Sequence, residues 1–245
     1  MPRYKAVVEY NGTPFEGWQS QPHGNTIQQF IEKSFLDINL KKIKIFGAGR
    51  TDSGVHALGQ VFHFNFDEKL NCKKVLLGIN HFLKRKSVSI LSIVPVNDNF
   101  NSRRDAKLRT YRYKILNRIA SPAILENHAW HIKKTLNFEL MKKASELFLG
   151  SHDFTTFRAA SCMAKSPQRE IILSDLKKKN DEIIYIVKSR SFLQHQVRSM
   201  VGAIKAVGES KWTLGYLDKA FKLKDRNKCA PPAPACGLYL ESIEY

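Results

Sequence analysis

Apolar residues recur along the chain with two periods, and the switches between them mark out the elements. In "RYKAVVEY" (3–10) apolar and polar positions alternate through β-branched residues, which predicts a strand. "NTIQQFIEKSFLDIN" (25–39) places Ile27, Phe30, Ile31, Phe35 and Ile38 on one helical face, with Asn25 or Thr26 as the cap. Strands follow at "KIKIFG" (42–47) and at "GQVFHFNF" (59–66), where Phe62, Phe64 and Phe66 alternate with polar residues. "NCKKVLLGINHFL" (71–83) reads as a helix capped by Asn71, and "SVSILSIVPV" (87–96) as a strand. The order is β-α-β-β-α-β, the ferredoxin-like split unit.

The rest of the chain has a related pattern without a sequence repeat. "LRTYRYKIL" (108–116) predicts a strand, and "NFELMKKASELFLG" (137–150) a helix starting at a capping Asn. "REIILSDLKKKNDEIIYIVKSRS" (169–191) predicts a hairpin turning at Asn180-Asp181. "LQHQVRSMVGAIKAVG" (193–208) predicts a helix with Leu193, Val197, Val201 and Ile204 as its stripe. A short helix after Thr213 and a strand at "CGLYLESIEY" (236–245) complete the set. The expected class is α+β, with two ferredoxin-like, RRM-like halves, 1–105 and 106–245. Two such sheets joined edge to edge into one mixed, largely antiparallel sheet would remove an exposed edge from each. Helices would then pack on one side, and a cleft between the halves would suit a ligand.

Charge narrows the partner. Forty Lys and Arg stand against 22 Asp and Glu, a formal +18. Self-repulsion of that size favours a partner of opposite sign, and nucleic acid fits best. Residues 101–120, "NSRRDAKLRTYRYKILNRIA", concentrate this charge, with Asp105 as their one acidic residue. In "RTYRYK", Arg109, Tyr111 and Tyr113 share one strand face, and Thr110, Arg112 and Lys114 the other. Arg interleaved with Tyr suits RNA, with guanidinium groups on phosphates and aromatic rings on unpaired bases. An edge strand with snorkelling basic side chains would read the same way.

Cys72, Cys162, Cys229 and Cys236 have neither zinc nor redox-pair spacing, which points to a reduced, cytoplasmic chain. The opening "MPRYKAVVEY" is not a signal peptide, and no segment is long and apolar enough for a bilayer, so no membrane partner is expected. "GAG" lacks the spacing of a dinucleotide or phosphate-binding loop. His56 and His63 have no Cys or carboxylate at ligand spacing, so they read as ordinary polar histidines and no metal is expected.

"GAGRTDSGVHA" (47–57), between two expected strands, is longer than a hairpin loop needs. Its one carboxylate, Asp52, lies two residues after Arg50. A neighbouring cation favours the ionised carboxylate, which serves as a nucleophile or as a base for a weak acid. Gly47, Gly49 and Gly54 let the backbone bend or approach a ligand. Turn hydrogen bonds from Thr51, Asp52 and Ser53 would equally explain the composition. Local chemistry leaves both readings open.

"GRTDSGVHA" (49–57) resembles the catalytic motif of the tRNA pseudouridine synthase A family. "YNGTPFEGWQSQP" (10–22) resembles the family's first loop, and "RTYRYKI" (109–115) its substrate-binding strand. "SPAILENHAWH" (121–131), "HDFTTFR" (152–158), "SFLQHQVRSMVG" (191–202) and "PAPACGLYLESIEY" (232–245) resemble further blocks, in the same order. Ser53, Gln196 and Cys236 depart from the family's usual Ala, Met and His.

The resemblance implies the pseudouridine synthase fold and an isomerase that converts uridine to pseudouridine at positions 38, 39 and 40 in the anticodon arm of tRNA. It implies no cofactor and a homodimer with one tRNA lying across both subunits. It makes Asp52 the nucleophile, attacking the sugar or the base or abstracting a sugar proton. It makes Tyr111 the ring that stacks on uracil, Arg50 a holder of the flipped nucleotide, and Arg198 the cation paired with the carboxylate. The site would then draw on both halves. The rival readings are an RNA-binding module without catalysis, a nucleoside or phosphoester hydrolase with an Asp nucleophile, and a relative acting on another RNA.

Overall fold

The structure, a computed structural model, describes residues 1–22, 24–38 and 40–245. His23, in the first loop, and Asn39, at the end of the first predicted helix, lie outside the described residues. The chain forms two compact units, Met1–Lys107 with Tyr239–Tyr245, and Leu108–Leu238. The last seven residues, which the sequence pattern assigns to the second half, therefore lie in the first unit.

In the first unit, β1 (Arg3–Tyr10) pairs antiparallel with β3 (His56–Asn65) on one side and β4 (Val88–Val96) on the other. The period-2 pattern decides what is buried: Tyr4, Ala6, Val8 and Tyr10 point inward. α1 (Ile27–Asp37) buries Ile27, Ile31 and Phe35 at successive turns, and Phe35 meets Phe64 of β3 at 5.0 Å between ring centroids. Thr26 holds the extended N-cap conformation, but its hydroxyl donates to Gln29 Oε1. α2 (Cys72–Leu83) is capped as expected, with the Asn71 side chain accepting from Lys74 N–H. β10 (Leu238–Glu244) runs parallel to the start of β3, with Tyr239 opposite His56 and Leu240 opposite Ala57.

One predicted strand is much shorter. "KIKIFG" yields only β2 (Phe46–Gly47), on β3. Ile43 and Ile45 are buried as the pattern requires. The backbone of Ile45, however, pairs with α1 side chains: its N–H donates to Glu32 Oε1, and its carbonyl accepts from Gln28 Nε2. Helix side chains thus satisfy groups that a neighbouring strand would otherwise pair.

In the second unit, β5 (Leu108–Asn117), β9 (Glu182–Ser189), β8 (Gln168–Lys179) and β7 (Gly150–Asp153) lie side by side as antiparallel neighbours, and β6 (Trp130–Ile132) runs parallel to β5. β6 and β7, three and four residues long, lack a readable period. α3 (Phe138–Glu146) is capped by Asn137, α5 (Leu214–Leu223) by Thr213, and the β8–β9 turn holds Asn180 at φ 53°. α4 (Gln196–Gly208) is buried on nearly every face, well beyond the four-residue stripe. "HDFTTFR" supplies core: Phe154 and Phe157 cluster with Phe148 and Phe221.

Candidate active site

Residues 48–55 leave β2 and return as β3, and their backbone is fastened along its length. Ala48 N–H donates to Val61 O (2.8 Å), and Gln60 Nε2 donates to Gly49 O (3.0 Å). Trp18 N–H donates to Thr51 O (3.1 Å), and the Thr51 hydroxyl meets the Tyr10 hydroxyl at 2.8 Å. Ser53 Oγ donates to Phe15 O (3.1 Å), and Val55 N–H closes a turn on Asp52 O (3.2 Å) with Gly54 at φ 76°. Residues 15–19 therefore line one side of the motif. Asp52, between these ties, is half-buried, and Arg50 is exposed with Nε on Gln19 Oε1 (3.1 Å).

The three motif glycines do different things. A Cβ on Gly47 would lie 2.5 Å from Trp18 Nε1, so the lack of a side chain there makes room for the indole. Gly54 supplies the positive φ of the turn. A Cβ built on Gly49 would meet nothing within 4 Å.

Tyr111 and Arg198 belong to the second unit. Tyr111, on β5 opposite Val187, is half-buried and edge-on to Phe192 at 5.2 Å. Tyr113, on the same face, is 0% exposed, and its hydroxyl donates to Pro234 O (2.7 Å). Burial pushes its phenol well above the ordinary tyrosine value. It is a core residue, so of the two tyrosines on that face only Tyr111 has a surface to offer. Arg198 lies in the first turn of α4; its Nε donates to Ala233 O (2.7 Å), and Ala233 N–H donates to Arg198 O (2.9 Å). Gly202 lets that segment come close, because a Cβ there would collide with Pro231 O. Asp52 and Arg50 are thus brought together on one loop of the first unit, and Tyr111 and Arg198 stand on β5 and α4 of the second.

The three departures from the family pattern each find a local partner. Ser53 adds the tie to Phe15. Gln196, 0% exposed, accepts from Leu193 N–H (2.8 Å) at the start of α4. Cys236 Sγ lies 3.7 Å from Ala129 O, and burial raises its thiol pKa.

Sequence reasoning missed the supports: Tyr10, Trp18, Gln19, Gln60 and His56. One signal was present, since Gln60 shares the strand parity of Phe62 and Phe64, and a polar residue on a core face needs a buried partner. His56 Nδ1 accepts from Gly12 N–H (3.1 Å), and His63 Nδ1 from Ser102 N–H (3.2 Å). Burial, then Arg3, hold the His63 imidazole below its usual pKa. Among the described residues no three His, Cys, Asp or Glu side chains gather as metal ligands, and no helix is long and apolar enough to cross a membrane.

A model of the tRNA pseudouridine synthase family matches residues 6–103 and 144–245. The tRNA pseudouridine synthase A of Pelagibacter ubique is 46% identical over 244 residues, covering 99% of each chain. That of Parvibaculum lavamentivorans is 42% identical over 245 residues, covering 100% of each. A chain of a solved Cbf5-Nop10-Gar1 complex aligns over 82% of this chain and 45% of its own, at 12% identity and TM-score 0.36. The Asp52 motif, the strand of Tyr111 and the helix of Arg198 all fall within these full-length matches or beside the family blocks, and the chain belongs to the tRNA pseudouridine synthase family, as an isomerase acting on tRNA.

Proposed function

We propose that the enzyme isomerises uridine to pseudouridine at positions 38, 39 and 40 of the tRNA anticodon stem-loop, with Asp52 as the reacting carboxylate and no cofactor. The observation that carries this reading is the contrast within one loop. The loop around Asp52 is tied by Trp18 N–H on Thr51 O, by Gln60 Nε2 on Gly49 O and by the Ser53 hydroxyl on Phe15 O, while the Asp52 side chain stays half-buried. Such preorganisation suits a group that must meet a reacting atom with little freedom to lose.

The chemistry balances without an outside reagent. The bond from uracil N1 to the sugar breaks, C5 bonds to the same sugar carbon, the C5 proton leaves and N1 gains a proton. Attack on the sugar, attack on the base and abstraction of a sugar proton all begin from an ionised carboxylate. Arg198 is proposed as the cation that favours that ionised form. Tyr111, held edge-on by Phe192, would offer a ring face to the turning uracil. A face constrains the plane of the base but not its in-plane rotation.

Arg50 would help to hold the target nucleotide out of its stack, a displacement that costs about a few kcal/mol. Phosphate contacts from the basic stretch 101–118 would offset part of it. We further propose a cytoplasmic homodimer that binds one tRNA across both subunits.

The test uses tRNA carrying tritium at uracil C5. Release confined to the anticodon arm, lost in Asp52→Ala while tRNA binding persists, supports the reading. Free uracil among the products would instead indicate hydrolysis.

A further inference from the structure

We propose that His56 is a positioning residue, whose neutral imidazole clamps the first loop to the exit of the Asp52 loop. The proposal rests on the reading of Asp52 as the reacting carboxylate.

His56 is the first residue of β3, four positions after Asp52, and is 1% exposed. Its Nδ1 lies 3.1 Å from the amide nitrogen of Gly12. An amide N–H only donates, so Nδ1 is the acceptor and the ring proton sits on Nε2. Gly12 is itself buried, and a Cβ there would collide with the backbone of Val55, inside the Asp52 turn. The buried Gly12 amide thus has the imidazole nitrogen as its acceptor right beside the Asp52 turn.

The ring is also stacked on Tyr239, with centroids 4.6 Å apart and planes 21° from parallel, where β10 pairs with β3. Two requirements meet in one side chain: a flat face for Tyr239 and an acceptor next to the ring's attachment point for Gly12. Histidine meets both. Phenylalanine keeps only the face. Asparagine keeps only the acceptor, since its Oδ1 occupies the place of Nδ1. Glutamine puts its polar end too far out.

What the clamp secures is the relative placement of two loops that also touch through the Thr51–Trp18, Ser53–Phe15 and Arg50–Gln19 bonds. A buried N–H without an acceptor would shift the first loop against the Asp52 turn, and the shift would be felt in turnover. Depriving a buried donor of its acceptor corresponds to about 10- to 100-fold when the loss falls on the transition state.

The test compares His56→Asn, His56→Gln and His56→Phe in the full-length enzyme with tRNA substrate. We expect kcat within about 3-fold of wild type for Asn and about 10- to 100-fold lower for Gln and Phe, with KM for tRNA within about 3-fold throughout. Equal kcat for Asn and Gln would overturn the proposal, as would a loss carried by KM alone. If Phe fails to fold, the Asn–Gln comparison decides. Nitrogen-15 labelling of histidine in the wild-type enzyme gives a check that needs no variant: His56 should show an unprotonated Nδ1 near neutral pH, and a protonated Nδ1 would overturn the clamp. Asp52→Ala, assayed in parallel, reports separately on the role of the carboxylate.

Discussion

The hydroxyl of Tyr10 lies 2.8 Å from Oγ1 of Thr51, and both side chains are buried. Tyr10 ends β1 and Thr51 precedes Asp52, so a core strand is tied directly to the residue next to the carboxylate. Tyr10→Phe and Thr51→Val each remove one partner while keeping shape. Each should lower stability by about 1 kcal/mol, and the double mutant should cost less than the sum of the two. Urea denaturation of the four proteins measures this; strict additivity would show that the pair is uncoupled.

Gly47 and Gly49 should behave oppositely. The methyl of Gly47→Ala would sit 2.5 Å from Trp18 Nε1, and overpacking of this kind costs about 1–3 kcal/mol. Gly49→Ala meets nothing within 4 Å and should leave the melting temperature close to wild type. Differential scanning calorimetry of the two variants separates them.

Glu209, at the end of α4, lies between Lys205 (2.7 Å) and Lys211 (2.9 Å). Burial raises its carboxyl pKa, but the two lysines outweigh burial and hold it below the usual value. A depressed carboxylate stabilises the fold above its unfolded-state pKa, and that contribution is lost as pH falls through the folded-state pKa. Wild type should therefore lose melting temperature on acidification more steeply than Glu209→Gln. Parallel curves would contradict this.

Exposed Arg103 and Arg104, in the basic stretch, should contribute through phosphate charge alone. Affinity for tRNA should fall steeply with salt, and Arg104→Gln should make the log–log slope shallower by about 0.7 to 0.9 if it contacts one phosphate. A slope unchanged by removal of both arginines would place the phosphate contacts elsewhere.

The hydrophobic pattern revealed most of the long elements, because burial on a strand or helix face leaves a period in the sequence. It overstated the strand before the motif, where Glu32 and Gln28 of α1 take the Ile45 backbone groups, and no period records a side chain bonded to a distant backbone. It missed β6 and β7, which span no more than two full periods. The Asp52 loop stood out through its resemblance, since its composition fitted a plain turn equally well. Its supports did not, because Tyr10, Gln60 and His56 act through partners 41, 11 and 44 residues away. Strand parity placed Tyr111 and Tyr113 on one face but could not tell that the second is sealed in the core by Pro234 and Gly237.

Asp52 is proposed to carry out the reaction. Asp52→Asn keeps the size and most of the turn while removing the charge. Tritium release from C5-labelled tRNA should fall to background in this variant, while tRNA affinity and melting temperature stay near wild type. Release at the wild-type rate from a folded, tRNA-binding Asp52→Asn enzyme would contradict the assignment.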